Sequence, residues 1–208
     1  KAMSNLDRGD DEQYYEVANH AVIRMEPGST FKTISMMAAL DDGKVEMDDT
    51  IRVYKNGWSY HGSKHTDAHP ADTIYNIRQA MAVSSNIALA KIVTEGYGGS
   101  AKKFVKKLKN MGLCDSVDYT IPGAKQALIN VPNDTVTISK MAYGYSVELS
   151  PLQMLTFYNG IANDGKMITP LIVKEIRKNG KVIEEFESSV IRSSMCSDAT
   201  LESIRECL

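Results

Sequence analysis

Residues 26–43 read EPGSTFKTISMMAALDDG, and this stretch predicts the buried helix around which the fold is organised. Pro27-Gly28 stops any preceding element and sets a helix start at Ser29. The apolar side chains that follow lie almost all round the helix, which leaves it no solvated face: Phe31, Ile34, Met36, Met37 and Leu40. The helix is predicted to end at Asp41-Asp42-Gly43, where glycine supplies a left-handed cap.

The remaining sequence predicts short helices with polar breaks between them. A helix capped by Thr73 is predicted to carry Ile74, Ile77 and Met81, and the next one restarts at Ser85 or Asn86 and ends at Gly96. Three further helices are predicted from capping serines and apolar spacing: Ser100 with Phe104, Val105, Leu108 and Met111; Ser150-Pro151 with Leu152, Leu155, Tyr158 and Ile161; and Ser197 with Leu201, Ile204 and Leu208.

Strand signals are few. Residues 44–72 are polar and broken, with one short strand predicted at Ile51–Tyr54. Leu171–Arg177 and Lys181–Phe186 are predicted to form a hairpin, because Asn179-Gly180 is a dipeptide that two-residue turns prefer. The chain has no internal repeat and no low-complexity linker. The predicted fold class is therefore α+β, a predominantly helical lobe with short strands, in one domain over residues 1–208.

Composition restricts the classes of protein and partner. The 208 residues are 43% hydrophobic and 24% charged, which is typical of a globular domain and excludes collagen-like, disordered and disulfide-stapled chains. A net charge of −2 gives no electrostatic reason to expect nucleic acid or an anionic membrane surface as partner. No apolar run is long enough to span a bilayer, so we expect no membrane insertion by this chain. Cys114, Cys196 and Cys207 lack metal-ligand spacing and are interpreted as buried or incidental thiols.

A candidate nucleophile and its base lie three residues apart at the start of the predicted helix. A serine hydroxyl must lose its proton to attack a carbonyl, and Ser29 and Lys32 fall on one helical face, roughly 5–6 Å apart at Cβ. The first turn also favours negative charge developing on a carbonyl oxygen. For Lys32 to act as a base near neutral pH, its pKa must fall by about three units, or about 4 kcal/mol, which burial can supply.

This spacing alone does not separate catalysis from helix capping. Ser100 and Lys103 repeat it, but that lysine lies among four others on a solvated face, so Ser100 is interpreted as a cap. The corresponding alternative for Ser29 and Lys32 is a capping serine above a lysine whose amine reaches solvent.

A second sequence motif favours the catalytic interpretation over capping. Ser84-Ser85-Asn86 is the chain's only Ser-x-Asn and lies at the predicted break between two helices. A hydroxyl and an amide two residues apart on a turn can face one cleft, the first relaying a proton and the second orienting a substrate amide. The alternative is that Ser85 or Asn86 only caps the following helix.

Together these motifs resemble the first two signatures of the penicillin-binding proteins and serine β-lactamases: Glu26-Pro27-Gly28-Ser29-Thr30-Phe31-Lys32 and Val83-Ser84-Ser85-Asn86. Residues 142–154, AYGYSVELSPLQM, and residues 161–165, IANDG, resemble the monofunctional (class B) transpeptidases, and among these the septal, cell-division type. Asn5-Leu6 and residues 14–21 fit the same pattern. The resemblance runs in order over essentially the whole chain.

The resemblance implies a serine D,D-transpeptidase that needs neither cofactor nor metal. It implies Ser29 as the acylated nucleophile, Lys32 as proton acceptor, Ser84 as proton relay to the leaving amine, and Asn86 as the donor that orients the substrate. The substrates would be peptidoglycan stem peptides ending in D-Ala-D-Ala, with β-lactams acylating Ser29 as mimics. The parent protein would be anchored in the cytoplasmic membrane, with this domain on the outer face beside cell-division membrane proteins.

One departure from the family pattern concerns its third signature, Lys-Thr/Ser-Gly. The chain has only Lys55-Asn56-Gly57 and Lys178-Asn179-Gly180, and neither follows the expected helix. We therefore expect a fragment: the helical lobe and active-site helix without most of the central sheet. Two alternatives to a transpeptidase stay open, namely a β-lactamase or carboxypeptidase of the same fold and a non-catalytic, penicillin-sensing domain.

A metal site is a further alternative. His61, His65 and His69 with Asp67 have a spacing of four that would suit a helix. Gly62 and Pro70 favour a loop there instead, so solvated histidines are the preferred interpretation.

Overall fold

A computed structural model describes residues 6–16, 19–117, 121 and 123–208. Asn5, which belongs to the family resemblance, lies outside these residues, as do Val17 and Ala18. A 3₁₀ turn at Gly28–Phe31 leads into the first of the described helices. These are α1 Lys32–Asp41, α2 Ile77–Ala82, α3 Asn86–Gly96, α4 Ala101–Asn110, α5 Thr137–Met141, α6 Pro151–Ala162 and α7 Asp198–Arg205.

The described strands form two-stranded antiparallel sheets and no larger sheet. They are β1 Leu6–Arg8, β2 Tyr14–Glu16, β3 Thr50–Val53, β4 Trp58–Tyr60, β5 Ser63–His65, β6 Thr73–Asn76, β7 Met167–Ile168, β8 Glu175–Lys178, β9 Lys181–Glu185 and β10 Val190–Arg192. The pairs are β1–β2, β3–β6, β4–β5, β7–β10 and β8–β9. The predicted α+β class, a helical lobe with short strands, is confirmed. Within the described ranges, no helix is long and apolar enough to cross a membrane.

Helix α1 is the centre of the hydrophobic core. Every side chain from Lys32 to Ala39 is buried, as the nearly uniform apolar surface of this helix predicts. Helices α3, α4 and α7 pack against it. The C-terminus closes with Gly43 in the left-handed region, where its N–H and that of Lys44 bond the carbonyls of Leu40 and Ala39.

The segment after Thr73 was predicted as helix, and that prediction is wrong. Thr73–Asn76 is strand β6, paired in register with Thr50–Val53, and α2 begins only at Ile77. Asn76 is the N-cap, and its side chain forms a reciprocal capping box with Gln79. The strand is formed by a partner more than twenty residues upstream, which local helix spacing does not register.

Most other predicted elements are confirmed, with shifted bounds. The predicted strand at 51–54 is Thr50–Val53, and the hairpin turn has Asn179 and Gly180 both at positive φ, as a type I′ turn requires. Ser100 lies at the N-cap of α4, although its side chain makes no capping bond. Hairpin β4–β5 and helix α5 were not predicted.

Two apolar positions are more exposed than their helical stripes predict. Leu155 of α6 was placed on a buried stripe but is 53% exposed, and Leu208 lies past the end of α7 at 67% exposure. The predicted burial is correct at the other aliphatic positions of these two helices: Leu152, Ile161, Leu201 and Ile204 are buried.

A partly buried ionic cluster joins α1 to α4 and α7. The Lys107 amine lies 2.5 Å from an oxygen of Asp41 and 2.8 Å from one of Asp42. Asp41 also accepts hydrogen bonds from the Ser197 amide at 2.8 Å and the Thr200 hydroxyl at 3.1 Å. Burial alone would raise the pKa of Asp41, but the bonds from Lys107 and Ser197 outweigh it and hold the pKa below its ordinary value.

Asp41→Asn should therefore lower the free energy of unfolding by about 2 kcal/mol, because Lys107 loses a charged partner in a poorly solvated site. The pKa of Asp41 is depressed in the folded state, so its contribution exists above the unfolded pKa and disappears as pH falls through the folded one. Urea unfolding at neutral pH and below about pH 4 measures both effects. Glu12→Gln, in the exposed Arg8–Glu12 pair, is the control and should change stability by less than about 0.5 kcal/mol. Equal losses for the two variants would contradict the structural role of the cluster.

Candidate active site

Ser29 lies in the 3₁₀ turn ahead of α1, and its side chain is exposed. The turn begins at Gly28, whose φ is +57°, and the Thr30 hydroxyl donates to the Pro27 carbonyl at 2.8 Å. The N-cap positions of the 3₁₀ turn and of α1 are Pro27 and Phe31, neither with a side-chain cap. The capping alternative for Ser29 is therefore wrong, and so is the expectation that a regular α-helix already starts at this residue.

Lys32 is the first residue of α1 and is only 3% exposed. Its amine donates to the backbone carbonyl of Ser84 at 2.5 Å and to the Ser84 hydroxyl at 2.8 Å. Burial lowers the pKa of Lys32 from 10.5 to about 8, against the opposing charge of Asp67. The predicted desolvated amine is confirmed, and the alternative of an amine reaching solvent is wrong. The described bonds of this amine go to Ser84 and not to Ser29.

Ser84 lies at the tight junction between α2 and α3. Its N–H bonds the Met81 carbonyl at 2.9 Å, and the next N–H, of Ser85, bonds the Ala80 carbonyl at 3.0 Å. This is a Schellman motif, and Ser84 occupies the left-handed position with φ +53°, where glycine is the usual residue. A side chain in that conformation carries a backbone strain on the order of 1 kcal/mol. The same turn directs both oxygens of Ser84 to the Lys32 amine.

Ser85 and Asn86 begin α3 in different ways. Ser85 is the N-cap, with its hydroxyl accepting from the Ala88 amide at 3.0 Å, so the capping alternative is correct for this residue. The Asn86 side chain does not cap the helix. Its amide donates to the Thr66 carbonyl at 2.8 Å, which fixes the orientation of the amide plane. The structure thus brings Lys32 and Ser84 into contact and places Asn86 two residues beyond that contact.

A distant loop holds the Ser29 turn in place. The Gly28 amide donates to the Gly144 carbonyl at 3.2 Å, and the Ser146 amide donates to Glu26 at 2.7 Å. Met25 and Leu149 exchange backbone bonds at 3.1 and 3.0 Å. The approach is so close that a Cβ on Gly144 would lie 2.1 Å from the Gly28 carbonyl oxygen. Residues 142–154 carry a family resemblance in the sequence, but their contact with the Ser29 turn was not predicted.

The alternative metal site is not formed. His65 is 1% exposed, so the interpretation of solvated histidines is wrong at this position, and its Nδ1 shares a hydrogen bond of 2.7 Å with the Tyr143 hydroxyl. Asp67 accepts from Ser85 and Ile87, while His61 and His69 are exposed. In the described part of the chain, no three His, Cys, Asp or Glu side chains are placed to hold a metal ion. The three cysteines are free and half-buried.

Comparison with known proteins shows the family to which the chain is similar. The family described as "Penicillin binding protein transpeptidase domain" matches residues 1–208. Penicillin-binding protein 3 of Bacillus subtilis is 24% identical over 180 residues, covering 84% of this chain and 26% of that protein. The probable peptidoglycan D,D-transpeptidase FtsI of Caulobacter vibrioides is 27% identical over 154 residues, covering 73% of this chain and 25% of that protein. The chain spans about a quarter of the length of these curated relatives.

A solved structure shows the same fold. The apo transpeptidase domain of penicillin-binding protein 3 from Burkholderia pseudomallei superposes with a TM-score of 0.75 at 22% identity. The match covers 94% of this chain and 56% of that chain. The described helices and short strands therefore correspond to part of a known α+β domain.

Lys32→Met should raise the free energy of unfolding by about 1–3 kcal/mol at pH 7, because it removes a charged amine from a buried site. The folded pKa of Lys32 lies below its unfolded value, so the cost of burial is complete below pH 8 and disappears as the pH approaches 10.5. The advantage of the variant should shrink over that window in urea unfolding. Lys103→Met, at the exposed lysine with the same spacing from a serine, should change stability by less than about 0.5 kcal/mol. A variant at Lys32 less stable than the wild type would contradict the burial cost.

Gly144→Ala should destabilise the fold more than Gly180→Ala, by at least about 2 kcal/mol. Both glycines have positive φ, +90° and +79°, so both variants carry the same kind of backbone strain. Only Gly144 faces the Gly28 backbone, whereas a Cβ at Gly180 meets nothing within 4 Å. Thermal and urea unfolding of the two variants separates the clash from the strain. Equal losses would show that the contact between Gly28 and Gly144 does not constrain the turn.

Proposed function

The chain belongs to the family of penicillin-binding protein transpeptidase domains, and we propose that it carries the nucleophile side of a serine D,D-transpeptidase site. The observation that carries the proposal is the buried Lys32 amine, 2.8 Å from the Ser84 hydroxyl and one helical turn from the exposed Ser29. Such a site would cross-link peptidoglycan stem peptides through an acyl-enzyme and would be acylated by β-lactams.

The acylation step follows from the groups present. The Ser29 hydroxyl attacks the carbonyl of the terminal D-Ala-D-Ala bond, and the neutral Lys32 amine takes its proton. Ser84, bonded to that amine, passes a proton to the departing D-Ala nitrogen as the peptide bond breaks. An ester of Ser29 remains. An amine from a neighbouring stem peptide then attacks this ester, the new amide forms, and Ser29 recovers its proton.

The electrostatics of Lys32 suit this role. With a pKa of about 8, about one-tenth of the amine is neutral at pH 7, compared with less than about 0.1% at the ordinary value. The Ser84 carbonyl and hydroxyl both accept from the protonated amine, so the cation formed during attack keeps two partners in a buried place. Asn86, held by the Thr66 carbonyl, is proposed to donate to the substrate peptide.

We infer further that the chain is part of a larger transpeptidase domain. The Lys-Thr/Ser-Gly signature is not in the sequence, and the solved domain is matched over 56% of its length. Apolar side chains that a complete domain would cover are exposed here, among them Leu155, Ile172 and Ile183 at 53, 52 and 61%. The parent protein is proposed to lie in the cell envelope, anchored in the cytoplasmic membrane with this domain outside. Cell-division membrane proteins are its proposed partners, as the septal-type signature of residues 142–154 and the FtsI relative suggest.

A fluorescent penicillin should label the protein that contains the complete domain stoichiometrically, and Ser29→Ala should abolish the labelling. Trypsin cuts after Arg24 and Lys32, so the mass shift should appear on the peptide Met25–Lys32. Lys32→Met should retain the fold and lose at least about 100-fold in acylation rate, because the base is gone. Labelling that persists in Ser29→Ala would overturn the nucleophile assignment.

The isolated 208-residue chain should react far more slowly than the complete domain. Loss of one oxyanion donor costs about 10²–10³ in rate, and loss of a groove wall weakens binding in addition. Rapid labelling of the isolated chain at Ser29 would contradict the partial-domain inference while supporting the catalytic one. Turnover of a chromogenic cephalosporin by the complete protein would favour a β-lactamase over a transpeptidase.

A further inference from the structure

Asp67 contacts the Ser84–Asn86 turn from a segment that the proposed mechanism leaves unused. One oxygen of its half-buried carboxylate accepts from the Ser85 hydroxyl at 2.8 Å, and the other accepts from the Ile87 amide at 3.0 Å. Ser85 is completely buried, so its hydroxyl has no access to water as a substitute partner. Water therefore cannot replace the Asp67 carboxylate as the hydrogen-bond acceptor of this hydroxyl.

The neighbours of Asp67 make parallel contacts with the same corner of the molecule. The Thr66 carbonyl accepts from the Asn86 amide at 2.8 Å, and His65 bonds the Tyr143 hydroxyl at 2.7 Å. Residues 65–67, which we call the strap, thus join the turn before α3 to the loop that holds the Ser29 turn. The Ser85 hydroxyl caps α3 at the Ala88 amide, and Asp67 satisfies the separate Ile87 amide and in addition accepts from the Ser85 hydroxyl itself.

We propose that Asp67 is a positioning residue that fixes the Ser84-Ser85-Asn86 turn against the Lys32 amine. Both side chains assigned to substrate and proton transfer on this turn, Ser84 and Asn86, flank the residue that Asp67 holds. Freed from Asp67, the turn loses two bonds at its centre, and the Ser84 hydroxyl loses its defined place beside the amine. This inference rests on the proposed transpeptidase function of the same site.

The charge of Asp67 has a second effect on the same amine. Burial lowers the pKa of Lys32, and the negative charge of Asp67 raises it in part. Burial and the positive charge of Lys140 lower the pKa of His65, and burial raises that of Tyr143, so both rings are uncharged near neutral pH while Lys140 is a cation at this corner. The charged side chains on the helices packed against α1 are Lys91 and Glu95 of α3, Lys102, Lys103, Lys106, Lys107 and Lys109 of α4, and Asp198, Glu202 and Arg205 of α7. The charge that acts on the pKa of Lys32 is that of Asp67, and none of these helix charges does so.

The test is the rate of acylation by a fluorescent penicillin in the complete protein, measured from about pH 6 to about pH 9. Asp67→Ala removes both hydrogen bonds and the charge, and its plateau rate should fall by up to about 100-fold as the turn is misplaced. Asp67→Asn keeps the size and one acceptor but removes the charge. Its plateau rate should fall less, and its acid limb should move to lower pH, because a Lys32 amine without the opposing carboxylate loses its proton more easily.

Asp134→Ala is the matched control. Asp134 also accepts from backbone amides at a helix start, Val136 at 2.8 Å and Thr137 at 2.6 Å, but it is exposed in the segment ahead of α5. Its loss should lower the unfolding temperature without changing the acylation rate of folded protein or the pH profile. If the Asp67 variants behave in the same way, Asp67 is a helix cap alone and the proposal is wrong.

Different results would contradict the proposed transpeptidase function and the proposed role of Asp67. No labelling of Ser29 in the wild type overturns the proposed function. Normal labelling of the wild type, with an unchanged rate and an unshifted profile in Asp67→Asn, overturns only the role of Asp67. The asparagine variant gives this answer even if Asp67→Ala does not fold, because it fills the same volume.

Discussion

The candidate site is arranged around one buried amine, and the burial of its charge costs the fold stability. Lys32 is placed in the hydrophobic core at the start of α1, where a cation is poorly solvated, and it is tolerated there because Ser84 offers it two oxygens. This constraint explains why α2 and α3 are separated by a strained turn and not joined as one helix. A continuous helix would bond its own carbonyls internally, whereas the left-handed Ser84 turns its carbonyl and hydroxyl toward the amine.

Three segments distant in sequence meet at this amine, and each is fixed by a different kind of contact. The Ser29 turn is held by backbone pairing with residues 144–149, at a distance that leaves no room for a side chain on Gly144. The Ser84 turn is held by its Schellman bonds and by Asp67. The strap is held by the buried bond between His65 and Tyr143. These contacts pair backbone groups and the Asp67 carboxylate within the fold, which restricts the movement of the site.

The helices and the small sheets have different roles in this fold. Helices α1 and α3 supply the buried surface that depresses the pKa of Lys32, and the ionic cluster of Asp41, Asp42 and Lys107 locks the far end of α1. The small sheets are connectors: β3–β6 leads into α2, and β5 leads into the strap. The exposed Leu155 of α6 lines a groove beside the Ser29 turn together with Pro27 and Thr30, and the β8–β9 hairpin exposes further apolar side chains. Both mark surface that the described residues do not cover.

The local elements and the chemical groups of the site could be predicted from the residues alone. Residues 26–43 predicted the buried helix, its end and the desolvated lysine, because apolar spacing and terminal residues act over a few positions. Asn179-Gly180 predicted the hairpin turn for the same reason. Sequence motifs also selected Ser29, Lys32, Ser84 and Asn86, although the spacing of Ser29 and Lys32 equally allowed a cap.

The packing of the folded chain determines which groups meet. It made Thr73–Asn76 a strand through pairing with β3, converted Asp67 from a possible metal ligand into a partner of Ser85, and placed Gly144 against Gly28. Each of these contacts joins residues at least eighteen positions apart, and none leaves a periodic trace in the local sequence. The bonding partner of the Lys32 amine, fifty-two positions along the chain, is set in the same way: by how the helices pack and not by the residues next to it.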